Sequence, residues 1–342
     1  MTTISKAIDR LLAVQQKAGI RRYVRDGDGQ FSSTPGGGSR GKSKTGKTAG
    51  ASPKRRAPVR GKATRSEMKL ASTEADMKYA KSLGIPPAYT NIRLSKDRKV
   101  DLQAIATDAK GKDHNYYTPK FTAQQQRNKF SRVRQLIKKM PVVEKRIAAG
   151  VKQGDHNAIA TLLLVKSGFR PGSNAKTGAE KKAYGATTLK TSHCTVKGAS
   201  VEFKFDGKHG VKQQHTIKDQ DIAAFVTKRK KEGATRLFDT NEDKLNDYVA
   251  KIAPGHTAKD FRTAKGTTIA KKAVAAIPKP TNVKEYKDSL KRVATEVSNT
   301  LGNSPAMALK AYIDPDVFKE WGPPPPPIKR KKGSTTTRKA KS

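Results

Sequence analysis

Residues 36–65 contain ten Lys and Arg, no Asp or Glu and almost no apolar side chain. The last twenty residues, from Pro323, repeat the theme with five consecutive prolines, seven bases and no acid. Ordering one residue costs about 1–2 kcal/mol of backbone entropy, and these stretches have little apolar area to offset it. The sequence therefore predicts disordered basic arms on either side of whatever folds. Together they hold seventeen of the 43 excess positive charges in this 342-residue chain, so 26 remain on the rest. The folding part is itself basic. That points to a polyanionic partner, above all nucleic acid, because each Lys or Arg set against a phosphate releases condensed counterions.

Cys194 stands alone. A disulfide framework, an iron–sulfur cluster and a multi-cysteine zinc site are thereby excluded. The N-terminus interrupts its apolar residues with charges, unlike a secretory signal, and no run approaches the roughly 18 apolar residues of a membrane span. A soluble, intracellular, DNA-associated protein is expected. Asp26-Gly27-Asp28-Gly29 hints at a calcium loop, but the later acidic ligands are missing.

Patterning divides the chain further. Ile4, Ile8, Leu11 and Leu12 suit a short amphipathic helix within 1–35, before a basic linker at 36–66. Residues 67–120 read as a small β-rich domain: Ile92-Arg93-Leu94 alternates, Val100 to Ala106 alternates weakly, and Tyr116-Tyr117 follow. Residues 121–321 read as a larger, mostly helical domain. Phe130, Val133, Leu136 and Ile137 share a face before Pro141, and Ala158, Ile159, Leu162 and Leu163 mark a helix that Gly168 closes. A hairpin interrupts, with Val201, Phe203 and Phe205 alternating before a turn at 206–210. Thr257 and Asp260 resemble a capping box, and Val283, Tyr286, Leu290, Val293, Val297 and Leu301 form a helical stripe. A Pro-run and basic tail fill 322–342. The fold class is α+β.

Six histidines lie scattered at 114, 156, 193, 209, 215 and 256 without metal-ligand spacing. Gly41-Lys42-Ser43 and Gly46-Lys47-Thr48 imitate the end of a Walker loop, but no strand precedes them. Neither ATP, another cofactor nor a catalytic metal is expected. Phosphate chemistry without a metal needs other cations, and arginine offers a planar fork that stays charged. Arg170 follows the Gly168 stop, Arg262 lies in the first turn after Thr257, and Lys208 sits at the hairpin tip. Near the C-terminus, Asn303 or Ser304 can cap a helix begun by Pro305, with Tyr312 about two turns in.

Together these pieces resemble the type IB DNA topoisomerases of the poxvirus-like and small bacterial kind. The likeness is carried by 301–317 (LGNSPAMALKAYIDPDV), Lys259-Asp260-Phe261-Arg262-Thr263 with Gly266-Thr267, Arg170-Pro171-Gly172, Tyr184 to Leu189 with His193, and the hairpin around Lys208. Gly84 to Ala88, Leu102-Gln103-Ala104 and Asp108 to Lys112 extend it into the small domain, so the likeness spans about 75–320 in the family's order. The resemblance implies a small DNA-clamping domain and a catalytic domain of the tyrosine recombinase/topoisomerase IB type.

It also implies site roles. Tyr312 is the expected nucleophile, leaving a 3′-phosphotyrosyl link and a free 5′-hydroxyl; a free phenol has a pKa of about 10, so its proton must leave during attack. Arg170 and Arg262 are expected to clamp the non-bridging oxygens, and Lys208 to protonate the leaving oxygen. Asn303 stands where poxvirus and nuclear members carry His, as in bacterial-type members, and is expected to stabilise the oxyanion without titrating. Lys110, Lys112, His114, Asn115, Tyr117 and Tyr184 are the expected contacts of a monomer clamping double-stranded DNA. The chain departs from the family at Ala264, where Trp is frequent, and at His114-Asn115-Tyr116-Tyr117, where only the last Tyr of a groove-reading Gln-Tyr-x-Tyr is kept. A tyrosine site-specific recombinase shares the Arg/Lys/Tyr chemistry, but usually has a His-x-x-Arg motif and a helical N-terminal domain. A non-catalytic DNA-compacting protein would use the basic arms alone.

Overall fold

The computed structural model describes residues 68–173 and 182–322, the side chain of His209 excepted. The helix expected near the N-terminus and the basic arms at 36–65 and 323–342 lie outside the described residues. The chain divides between Ala264 and Lys265 into two compact units.

The first unit opens with a four-stranded antiparallel meander, β1 (Met68–Leu70), β2 (Thr90–Ser95), β3 (Leu102–Thr107) and β4 (Asp113–Tyr117), in chain order. Register sets Ala104 opposite Tyr116 and Ala106 opposite His114. Ala104, Ala106 and Tyr116 pack with Ala80, Ile85, Ile92 and Leu94 in the small core. Between β1 and β2 lies a helix the strand-like reading missed, α1 (Glu74–Ser82). Thr73 and Asp76 close a capping box around its first turn. Lys69 at 3.0 Å and the Ser72 and Thr73 groups hold the Asp76 carboxyl down at about 2.

A 34-residue helix follows, α2 (Pro119–Lys152), and it runs through Pro141 instead of stopping there. Proline removes one intrahelical bond and crowds the preceding turn. Here the apolar stripe continues beyond it: Val143 and Ile147 are buried in the same core as Val133 and Leu136. Burial of that stripe outweighs the local penalty. Helix α3 (His156–Ser167) does end at Gly168, in the left-handed conformation with φ 69°.

The hairpin of β6 (Ser200–Asp206) and β7 (Lys212–Lys218) gains a third antiparallel strand, β5 (Cys194–Lys197). Val201, Phe203 and Phe205 point into the main core, as their alternation predicts. Helices α4 (Gln220–Lys231), α5 (Glu242–Ile252) and α6 (Ala258–Ala275) follow, the last crossing the division between the units.

The second unit continues with α7 (Val283–Leu301), α8 (Pro305–Ala311) and a 3-10 turn at Pro315–Trp321. Tyr286, Leu290, Val293, Val297 and Leu301 of the expected stripe are buried together with Leu309, Ile313, Phe318 and Trp321. The described residues thus form a mixed helix-and-sheet protein with small antiparallel sheets and a mostly helical remainder. Among them, no helix is long and apolar enough to cross a membrane.

Candidate active site

Gly168 brings two of the expected arginines to one turn. Its carbonyl accepts a 2.6 Å hydrogen bond from Arg262 Nη1, two residues before Arg170. Arg262 is only 2 % exposed, whereas Arg170 is half-buried. The first turn of α6, which carries Arg262, is anchored from two sides. Asp260 accepts the Thr257 amide at 2.9 Å and its hydroxyl at 3.1 Å. It also accepts Arg132 in bidentate fashion, Nε at 3.0 Å and Nη2 at 2.9 Å. Only one arm of the expected capping box forms, because the Asp260 amide donates to the Thr257 carbonyl at 2.9 Å. Arg132 is the addition that sequence reasoning missed; the carboxylate raises its pKa further.

Behind this turn, the His215 ring meets Phe169 edge-on at 4.9 Å. Burial first, and the Arg262 charge second, lower the His215 pKa, which favours the neutral ring.

The segment after Arg170 is stitched to the hairpin. The Arg170 carbonyl accepts the Ala186 amide at 2.9 Å, and the Pro171 carbonyl accepts the Thr187 amide at 2.8 Å. Gly185 makes this approach possible: a Cβ there would lie 2.6 Å from both the Arg170 carbonyl oxygen and the Gly172 nitrogen. Its neighbour Tyr184 donates its amide to the Asp206 carbonyl at 2.8 Å, at the base of the Lys208 turn. The Tyr184 side chain is half-buried and meets His193 edge-on at 4.4 Å. Lys208 itself is exposed, in a turn closed by the Gly207 amide on the Val211 carbonyl at 2.8 Å and by the Asp206–Lys212 ion pair. One backbone frame thus connects Arg170, Arg262 and the Lys208 hairpin.

Asn303 and Tyr312 belong to the second unit. Gly302, at φ 58°, turns the chain out of α7, and the Asn303 amide reaches back to the Ser298 carbonyl at 3.2 Å. Both Asn303 side-chain polar atoms are buried without a hydrogen-bond partner among the described residues. Ser304, not Asn303, caps α8. Tyr312 ends that helix, half-buried and packed against the second core.

The expected DNA contacts divide. Lys110 and Lys112 are exposed on the β3–β4 turn, which Asp108 organises by accepting their amides at 2.9 and 3.0 Å. The same carboxylate holds His114 Nε2 at 2.7 Å; that bond leads the causes that lower the Asp108 pKa. His114 shares the face of Tyr116 and meets the Tyr89 ring at a tilt, with the centroids 5.1 Å apart. Asn115 and Tyr117 point to the opposite face, linked at 3.4 Å. On that face Asn115 is in register with Ile105, Ile105 with Arg93, and Arg93 with Leu70. Arg93 is therefore a further candidate. Its place between Ile92 and Leu94 was the available signal.

Comparison with known proteins identifies the family. The sequence pattern of a family described as eukaryotic DNA topoisomerase I, catalytic core, matches residues 118–318. A DNA topoisomerase 1B of Acanthamoeba polyphaga mimivirus is 26 % identical over 264 residues, 70 % of this chain and 78 % of the viral protein. A DNA topoisomerase 1 of Daucus carota is 35 % identical over 111 residues, 31 % of this chain and 14 % of the plant protein. With more than half of its length matched by the family pattern, the chain belongs to the DNA topoisomerase I family, the type IB enzymes.

Proposed function

We propose that this DNA-relaxing isomerase cleaves one strand of duplex DNA through Tyr312. The Tyr312 oxygen forms a bond to phosphorus as the bond from phosphorus to the 5′-oxygen breaks; the phenolic proton passes to solvent, and Lys208 protonates the departing oxygen. Rotation about the intact strand releases supercoil strain. Reversal of the same step then reseals the nick without ATP, because phosphotyrosine conserves the ester.

Arg170 and Arg262 neutralise the non-bridging oxygens in the transition state, a task that suits fixed guanidinium forks. The observation that carries this reading is the 2.6 Å bond from Arg262 to the Gly168 carbonyl, which ties one guanidinium to the turn leading to the other. The buried amide of Asn303, without a hydrogen-bond partner among the described residues, supports its role as a hydrogen-bonding, non-titrating ligand of the phosphate. Lys110, Lys112, Asn115, Tyr117 and Arg93 make DNA contacts from the sheet domain at 67–120, and Tyr184 makes them from the catalytic domain at 121–321. His114 contributes by holding Asp108. The enzyme works as a monomer clamped on duplex DNA, with the basic segments 36–65 and 323–342 adding sequence-independent affinity.

Relaxation of a supercoiled plasmid in EDTA and without nucleotide tests the scheme. The wild type is expected to relax it fully and Tyr312→Phe to leave it supercoiled. Dependence on added divalent ion, or normal relaxation by Tyr312→Phe, rejects the scheme.

A further inference from the structure

Helix ends leave their last carbonyls without an intrahelical donor. Tyr312 is the C-cap of α8, with φ −128° and ψ −10°, and its carbonyl accepts the Thr267 hydroxyl at 3.1 Å. The same Thr267 oxygen accepts the Asp314 amide at 3.2 Å. A hydroxyl can donate once and still accept, so this buried group grips the backbone on both sides of Ile313. The Ile313 amide reaches Ala308 at 3.0 Å, and Asp314 starts the next turn by accepting the Asp316 amide at 3.1 Å.

Gly266 adds a second constraint. A Cβ at this position would lie 2.9 Å from the Tyr312 carbonyl oxygen and 3.1 Å from Tyr312 Cβ, with Leu301 Cδ1 also at 3.1 Å. Glycine lets α6 rest directly on the backbone of Tyr312. None of these contacts involves the phenol oxygen, so they act on where the side chain starts and not on its reactivity.

We propose that Gly266 and Thr267 are positioning residues that fix the Tyr312 backbone so that its phenol oxygen reaches phosphorus in line with the leaving group. The proposal rests on Tyr312 being the nucleophile. A displacement of about 1 Å at a reacting centre can cost about 100-fold in rate.

The test uses the full chain, in excess over an end-labelled duplex, and follows covalent adduct formation and DNA affinity separately. Thr267→Val, which keeps the shape and loses the hydroxyl, is expected to form adduct about 10- to 100-fold more slowly with affinity within about twofold of wild type. Thr267→Ser restores the hydroxyl and is expected within about threefold of the wild-type rate, while Gly266→Ala is slowed at least about tenfold. Normal adduct formation by Thr267→Val, equal slowing in the Ser variant, or a loss confined to affinity overturns the proposal. If melting shows Thr267→Val to be unfolded, the other pair decides: fast Ser with slow Gly266→Ala supports the device, and any other pattern overturns it. Tyr312→Phe in parallel separates the two ideas. If it still forms adduct, the nucleophile assignment fails and the positioning role with it; if it is inert while Thr267→Val reacts normally, only the positioning role fails.

Discussion

Arg262 shows how a charged residue is held inside a protein. Burial of a guanidinium is costly unless its donors are used, and Nη1 is used on the Gly168 carbonyl at 2.6 Å. Arg262→Lys keeps the charge but loses the planar fork. Adduct formation is expected to fall about 10²- to 10³-fold while DNA affinity changes little, measured by single-turnover cleavage against equilibrium binding. An unchanged cleavage rate rejects the role. The stop at Gly168, the turn around Lys208 and the helix begun by Pro305 were legible from local rules, whereas the roles proposed for Arg170, Lys208, Arg262 and Tyr312 come from the family resemblance. The bidentate Arg132–Asp260 pair was not legible, since no local pattern connects residues 128 apart.

Among the elements, α2 and the β3–β4 ribbon are the instructive cases. Local propensity ends a helix at Pro141; tertiary burial of Val143 and Ile147 carries it on. Because Pro141 is exposed and interior to the helix, Pro141→Ala is expected to raise stability by about 1–3 kcal/mol, read as a higher melting temperature. A lower melting temperature contradicts this account of the helix. The stripe of α7 was readable because its spacing is long and regular. By contrast, the nine residues of α1 have too few apolar positions to show a period, and only the Thr73–Asp76 box marks them. In β4 the strand period alone sets His114 against Asn115 and Tyr117, but which of the two faces meets the small core depends on pairing with β3.

Two expectations belong to the whole molecule. Burial lowers the pKa of His193, His215 and His256, so the unfolded chain binds more protons than the folded one as pH falls from about 6.5. Stability present above that pH is therefore lost below it. Melting temperature at constant salt is expected to drop between pH 7 and 5, and His256→Gln to flatten the drop; a rise contradicts the assignment. Separately, deleting 36–65 and 323–342 removes seventeen bases. The dependence of DNA affinity on salt should become shallower while the cleavage rate is kept. An equal slope would reject any role for these segments in binding. The central claim is a covalent bond between DNA and one side chain, and peptide mapping of the adduct trapped by denaturant in EDTA tests it directly. The expected result is a 3′-phosphate carried on the peptide containing Tyr312; an adduct on another residue, or none without divalent ions, contradicts the account.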